Sequence, residues 1–83
     1  MHNIVTNDIR LGKKLADELK TARRRSGLRQ IDLAIKAKVA LRTLQRFETA
    51  HSTPDADSLR RIGQALGTPS HELLDAARRA AED

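Results

Sequence analysis

The sequence predicts an all-α fold, a compact bundle of five helices, and three observations predict it. Apolar residues recur at spacings of three and four along most of the chain, which is the period of a helix with one buried side. Glycines and prolines interrupt these runs where helices end or begin, at Gly27, Pro54, Gly67 and Pro69. Between Gly27 and Glu48 the apolar spacing describes two short helices separated by a tight turn.

The start of the chain is expected to be irregular. Residues 1–7 are predicted to form a flexible N-terminal arm and residues 8–83 a single domain, because chain ends are usually loose. The first helix ends near Gly27. Since Gly12 weakens its first turns, we expect regular helix only from about Lys13.

The second and third predicted helices cannot be stable alone, because a helix of about eight residues is too short for propensity to support. They must pack on their neighbours and on each other, and Val39 fills the angle between them. Their buried residues are expected to be Leu33, Ala34, Ala37, Leu44 and Phe47. The outward face of the third helix is expected to carry Leu41, Arg42, Gln45 and Arg46.

The side chains of this outward face match the chemistry of DNA base edges. Arg42 and Arg46 offer forked guanidinium groups that fit the O6 and N7 acceptors of guanine. Gln45 offers an amide that fits adenine, and Leu41 can contact the methyl group of thymine. Taken alone, the same residue types also suit an ordinary solvated helix face, which is the alternative interpretation.

Basic residues are concentrated in the first part of the chain. Residues 1–50 contain 12 Lys or Arg against 5 Asp or Glu, and residues 51–83 contain 4 against 6, within a formal net charge of +5. A basic surface binds polyanions through counterion release, so nucleic acid is the expected partner. A membrane surface is disfavoured, because the chain has no Trp or Tyr and a single Phe to anchor it.

The segment from Leu15 to Leu74 resembles the Cro and phage-repressor family of helix-turn-helix domains, also called the xenobiotic-response-element family. The matching positions are Arg23, Gly27, Gln30, Leu33, Ala34, Val39, Leu44, Phe47, Glu48, Pro54, Leu59, Ile62, Ala65, Leu66 and Gly67. The resemblance implies a DNA-binding domain of phage-repressor type, with its helix-turn-helix at helices 2 and 3, that binds a palindromic operator as a dimer. It also implies that Arg23 pairs internally with Glu48 and ties the first helix to the third.

Three positions depart from the family pattern. Arg29 and Ala40 stand where the family usually has Ser or Thr as helix caps, and Lys38 stands where it usually has Gly in the turn. We expect Arg29 and Lys38 to contact DNA phosphates, and their presence at these positions to lower local stability. The full set of expected phosphate contacts is Arg29, Gln30, Lys38, Thr43, His51 and Ser52.

The last two helices follow a polar loop. Asp55 caps the fourth helix, Gly67 ends it, and Thr68 and Pro69 begin the fifth. The apolar side of the fifth helix is larger than one small bundle needs to cover. We therefore expect a twofold dimer whose interface comprises Leu73, Leu74, Ala77 and Ala81.

No feature of the sequence indicates catalysis, a metal site or a cofactor. The histidines are scattered, at His2, His51 and His71, and no glycine-rich phosphate loop or activated nucleophile is present. Without cysteine the chain can form neither a disulfide nor a thiolate metal site. No apolar run is long enough to cross a membrane, and the N-terminus lacks the apolar core of a signal peptide. We therefore expect a cytoplasmic protein, and the resemblance to phage repressors implies a bacterial or phage origin.

Two functions remain open at this point. The first is a sequence-specific transcriptional regulator, most simply a repressor, that binds double-stranded DNA as a homodimer. The second is a protein-interaction module of antitoxin or anti-activator type, whose main partner is a toxin or an activator and whose DNA binding is secondary. The outward face of the third predicted helix favours the first.

Overall fold

The computed structural model describes the backbone of residues 4–82 and the side chains of residues 9–82. Within that range every regular element is a helix, and the helices are α1 (Ile4–Arg25), α2 (Gln30–Ala37), α3 (Leu41–Glu48), α4 (Ala56–Leu66) and α5 (Ser70–Glu82). The all-α bundle of five helices predicted from the sequence is confirmed, with α2 and α3 as the helix-turn-helix.

The helices close around one apolar core. Four large side chains in it are fully buried, one from each of α1 to α4, and they are Leu19, Leu33, Leu44 and Ile62. α5 adds Leu73 and Ala77. Full burial of an aliphatic side chain is worth roughly 1.5–3 kcal/mol, so these contacts, rather than helix propensity, stabilise the short α2 and α3.

α1 begins earlier than the sequence indicates. Its backbone is helical from Ile4, so the regular helix includes residues 4–7 of the expected N-terminal arm, while residues 1–3 lie outside the described residues. The helix also continues through Gly12. The physical reason is tertiary packing, because Leu11 contacts the core and lines a groove together with the last turn of α5.

α5 uses its apolar side within the protomer. Leu73 is 2% exposed and Ala77 is 0% exposed, because that side of α5 packs along α1. The expectation that these two residues form a dimer interface is therefore wrong. Leu74 and Ala81 are only half-buried and remain at the surface.

α4 is capped at both ends, and a glycine in its middle allows the segment before α5 to approach closely. Asp55 caps α4 by accepting a hydrogen bond from the Ser58 N–H at 2.9 Å, and Gly67 ends it with a φ of 72°. Hydrogen bonding from Ser58, through its side chain and its backbone, holds the pKa of Asp55 below its ordinary value. In the middle of α4, a Cβ on Gly63 would stand 2.6 Å from the Thr68 carbonyl oxygen, so only glycine fits there.

Candidate nucleic-acid interface

α3 turns one side to the core and the opposite side outward. Its buried residues are Leu44, Phe47 and Glu48. Its exposed residues are Arg42, Gln45 and Arg46, while Leu41 and Thr43 are half-buried at the two edges. The structure therefore places three of the four residues that we expected to contact bases together on the exposed side of α3, with Leu41 beside them.

Both guanidinium groups on this side remain able to donate hydrogen bonds to an external partner. Among the described side chains, Arg42 forms neither a hydrogen bond nor an ion pair. Arg46 forms only a long hydrogen bond, from Nη2 to the His51 carbonyl oxygen at 3.5 Å. Among the described residues, neither arginine is thus paired with an acid.

The buried side of α3 is attached to α1 through an ion pair. Arg23 Nε donates to Glu48 Oε2 at 2.8 Å, and Arg23 Nη2 donates to Glu48 Oε1 at 3.0 Å. Arg23 is 9% exposed and Glu48 is 2% exposed. Arg23 Nη1 also donates to the Leu28 carbonyl oxygen at 2.9 Å. This is the pair that the family resemblance implies, and its hydrogen bonds satisfy charges that would otherwise be costly to bury.

Gln30, the first residue of α2, is hydrogen-bonded within the protein on both sides of its amide. Its Nε2 donates to Glu48 Oε1 at 3.1 Å, and its Oε1 accepts from Gln45 Nε2 at 3.3 Å. We expected Gln30 to contact phosphate, whereas the structure gives its half-buried side chain two protein partners. A hydrogen-bonded connection therefore runs from the buried ion pair to the exposed side of α3.

Arg29, just before α2, is paired with Asp32. Its Nε and Nη2 donate to the two carboxylate oxygens, each at 2.9 Å, and its backbone N–H donates to Asp32 Oδ2 at 2.9 Å. Hydrogen bonding from the Arg29 side chain holds the pKa of Asp32 below its ordinary value, and the same hydrogen bond raises the pKa of Arg29. An arginine side chain has no acceptor, so the cap is supplied by the acid three residues later. The Arg29 charge faces solvent but is balanced locally.

The turn between α2 and α3 begins at Lys38, which has the left-handed conformation with a φ of 58°. The carbonyl oxygens at this end of α2 are capped by a residue of α4. Arg61 Nη1 donates to the Lys38 carbonyl oxygen at 2.6 Å and to the Ala37 carbonyl oxygen at 3.3 Å. A cation at a helix C-terminus also interacts favourably with the helix dipole. Arg61 thus stabilises a turn in which a lysine adopts the left-handed conformation.

The loop after α3 folds back onto the end of the helix. The N–H groups of His51 and Ser52 donate to the Arg46 carbonyl oxygen at 2.9 and 3.3 Å, and Ala50 has a φ of 61°. His51 is exposed, with its Nδ1 2.7 Å from Thr49 Oγ1. These bonds hold His51 and Ser52 beside the C-terminal end of α3.

The candidate interface consists of the exposed side of α3, the two ends of α2 and the loop after α3. The structure brings the expected phosphate contacts to these places: Arg29 and Gln30 at the start of α2, Lys38 at its end, Thr43 on α3, and His51 and Ser52 in the loop. No three His, Asp or Glu side chains within residues 9–82 lie close enough to hold a metal ion. None of the described helices has the length and apolar character needed to cross a membrane.

Comparison with known protein families agrees with this geometry. The model of the family described as helix-turn-helix domain matches residues 14–77, a segment that contains all of α2, α3 and α4. The protein belongs to this helix-turn-helix domain family. Comparison with curated proteins gave no match.

Proposed function

We propose that this protein is a sequence-specific transcriptional regulator of the Cro and phage-repressor type, which represses by binding a palindromic operator as a dimer. The observation that carries the proposal is the exposed side of α3. Arg42, Gln45 and Arg46 are exposed together there, without an acidic partner among the described residues. The Arg23–Glu48 pair holds the buried side of the same helix in place.

The dimensions of α3 suit the major groove. Its eight residues form an α-helix, whose diameter with side chains is about 10–12 Å, and the groove is about 12 Å wide. Guanidinium groups can donate twice to guanine, and a carboxamide can pair with adenine. The exposed side of α3 therefore offers contacts that depend on base identity, as well as positive charge.

Phosphate contacts are proposed from the residues around α3. Lys38 and His51 are exposed on either side of the helix, at its preceding turn and its following loop. The N-terminal end of α2 adds backbone N–H groups and the positive end of a helix dipole. Arg29 contributes less than an unpaired arginine, because Asp32 balances its charge.

A dimer is proposed because one copy can contact only a short piece of DNA. A single α3 enters one segment of the major groove, whereas two copies related by a twofold axis would place their α3 helices roughly 34 Å apart, one turn of DNA. Since Leu73 and Ala77 are buried inside the protomer, the proposed interface uses the half-buried apolar residues near them, Leu74 and Ala81 on α5 and Leu11 on α1.

Selection of duplexes from a random pool by the purified protein tests the proposed function. We expect enrichment of a palindromic sequence with two half-sites about one turn apart. A reporter gene behind that sequence should be repressed when the protein is present. Failure to enrich any sequence over the starting pool would contradict sequence-specific binding and favour the protein-interaction module.

Sedimentation of the protein, free and with the selected duplex, tests the dimer. We expect two chains per duplex, and fewer for Leu74→Asp or Ala81→Asp. His71→Asp places the same new carboxylate at an exposed position of α5 and serves as the control. Unchanged stoichiometry and affinity in both interface variants, with native thermal melts, would exclude α5 from the interface.

A further inference from the structure

The amide of Gln45 is held in one orientation by a chain of hydrogen bonds that begins at a buried charge. Glu48 carries a carboxylate, which can only accept, so the end of the Gln30 amide that faces it must be Nε2. The Gln30 oxygen is thereby directed to Gln45, and an oxygen can only accept. The end of the Gln45 amide that faces Gln30 must therefore be Nε2, which lies 3.3 Å away.

The opposite orientation of Gln45 is disfavoured for a simple electrostatic reason. A flipped Gln45 amide would place its oxygen against the Gln30 oxygen, and two acceptors at that distance repel. Gln30 cannot relieve this contact by flipping as well, because its own oxygen would then face the Glu48 carboxylate. Glu48 in turn is fixed by the two hydrogen bonds from Arg23.

The orientation determines which groups Gln45 offers to DNA. Its Nε2 carries two hydrogens, of which Gln30 takes one, so one N–H and the carbonyl oxygen remain for an external partner. One donor beside one acceptor complements the N7 acceptor and the N6 donor of adenine. Guanine presents acceptors at both N7 and O6, and its O6 would meet the oxygen of the fixed amide.

We infer that Gln30 is a positioning residue that makes Gln45 discriminate adenine from guanine. This inference rests on the proposed function, in which Gln45 contacts bases. Gln30 acts through the orientation of a neighbouring amide and needs no contact with DNA of its own. The specificity of the exposed side of α3 thus depends on a residue of α2 and, behind it, on the buried Arg23–Glu48 pair.

The test uses the duplex that the wild-type protein selects and a second duplex in which the adenine contacted by Gln45 is replaced by guanine. That adenine is located as the position where Gln45→Met loses its preference. For the wild type we expect adenine to be favoured roughly 5- to 150-fold, the usual range for one bidentate base contact. Gln30→Met keeps the side-chain length but removes both hydrogen bonds, and should reduce this ratio to within about threefold of one.

A double-variant comparison separates positioning from other roles. In the Gln45→Met background, Gln30→Met should leave the ratio of the two affinities unchanged, because no amide remains to be oriented. Gln64→Met, at an exposed glutamine of α4, is the matched control and should behave as the wild type. If Gln30→Met weakened both duplexes by the same factor and kept the ratio, Gln30 would be a phosphate contact or a structural residue, and the inference would be overturned.

A second measurement uses only the wild-type protein and so does not depend on whether a variant folds. In the free wild-type protein, nuclear magnetic resonance relaxation of the side-chain NH₂ groups should show Gln45 more restricted than Gln64. Equal mobility of the two groups would overturn the inference. A wild type that binds the selected and a scrambled duplex equally would instead remove the proposed function, so the two failures are distinguishable.

Discussion

Arg23 on α1 and Glu48 on α3 lie 25 positions apart and form two hydrogen bonds, at 2.8 and 3.0 Å, that attach the buried side of α3 to the longest helix of the protein. With Glu48 only 2% exposed, water cannot replace Arg23 as its partner. The pair therefore fixes the position from which the opposite side of α3 projects. Glu48 therefore has a structural role, although it belongs to the proposed DNA-binding helix, because its side chain faces inward.

Removing either partner of this pair should destabilise the protein strongly. Glu48→Gln or Arg23→Met leaves a buried charge without its counterpart, which costs on the order of 3 kcal/mol. Chemical denaturation measures the loss in the free energy of unfolding. Arg24→Met, at the exposed neighbouring position, should change it by less than about 0.5 kcal/mol. Wild-type stability in either pair variant would mean that the charge is not buried in solution.

Lys38→Gly should stabilise the protein. Lys38 has a φ of 58°, which glycine adopts freely and a residue with a Cβ adopts at a cost of about 1 kcal/mol. Lys36→Gly, two positions earlier on the helical part of α2, should lower stability by about the same amount. Thermal melts of both variants decide the point, and a lower melting temperature for Lys38→Gly would show that the left-handed turn is not populated.

Two glycines in helices should respond oppositely to alanine. Gly12→Ala should raise the free energy of unfolding by about 0.5–1 kcal/mol, because a Cβ there meets only Thr53 Oγ1, at an ordinary 3.7 Å. Gly63→Ala should lower it by about 1–3 kcal/mol, because its Cβ would overlap the Thr68 carbonyl oxygen. Denaturation of the two variants side by side controls for helix propensity. Equal effects would mean that α4 and the start of α5 are further apart than described.

Protonation of Asp55, which caps α4, should lower the stability of the protein at acid pH. Its pKa in the folded state lies below the ordinary value of 3.8 because Ser58 hydrogen-bonds its carboxylate. The unfolded chain therefore binds the proton first, so the stabilisation is present above about pH 4 and is lost as the pH falls through the folded pKa. Melts between pH 7 and pH 2 should show a smaller acid loss for Asp55→Asn than for the wild type. If the stability of the two proteins fell in parallel with pH, a contribution from the Asp55 cap would be excluded.

Much of the bundle could be predicted from the sequence because its signals are local. The spacing of Leu33, Leu44 and Ile62 marks the inward sides of three helices, and all three residues are fully buried. The same spacing was misleading in α5. Periodicity shows that Leu73 and Ala77 need a cover, but it does not show whether α1 or a second copy provides it.

The contacts that fix the candidate interface could not be predicted in the same way. Arg61 caps α2 from 23 positions away, and Gln30 reaches Glu48 across 18 positions, so no local pattern marks either contact. Only the family resemblance pointed to the Arg23–Glu48 pair. Asp32, by contrast, stands three residues after the cap position, where an acid commonly accepts from the capping N–H. That signal was available in the sequence, although the cap residue itself is arginine.

The most direct test of the proposed role of α3 compares Arg46→Ala with Arg25→Ala. Each variant is titrated against the selected duplex and a scrambled duplex at several salt concentrations. Arg25 is exposed at the end of α1 and lines a groove with α5, so its replacement removes the same charge away from α3.

We predict that Arg46→Ala loses about 1 to 3 kcal/mol of binding free energy on the selected duplex, keeps most of its affinity for the scrambled one, and relaxes the preferred base at one position. Arg25→Ala should bind both duplexes as the wild type does. If Arg46→Ala lost affinity equally for both duplexes, with a shallower salt dependence and no change in base preference, Arg46 would contact phosphate and the assignment of base recognition to the exposed side of α3 would be contradicted.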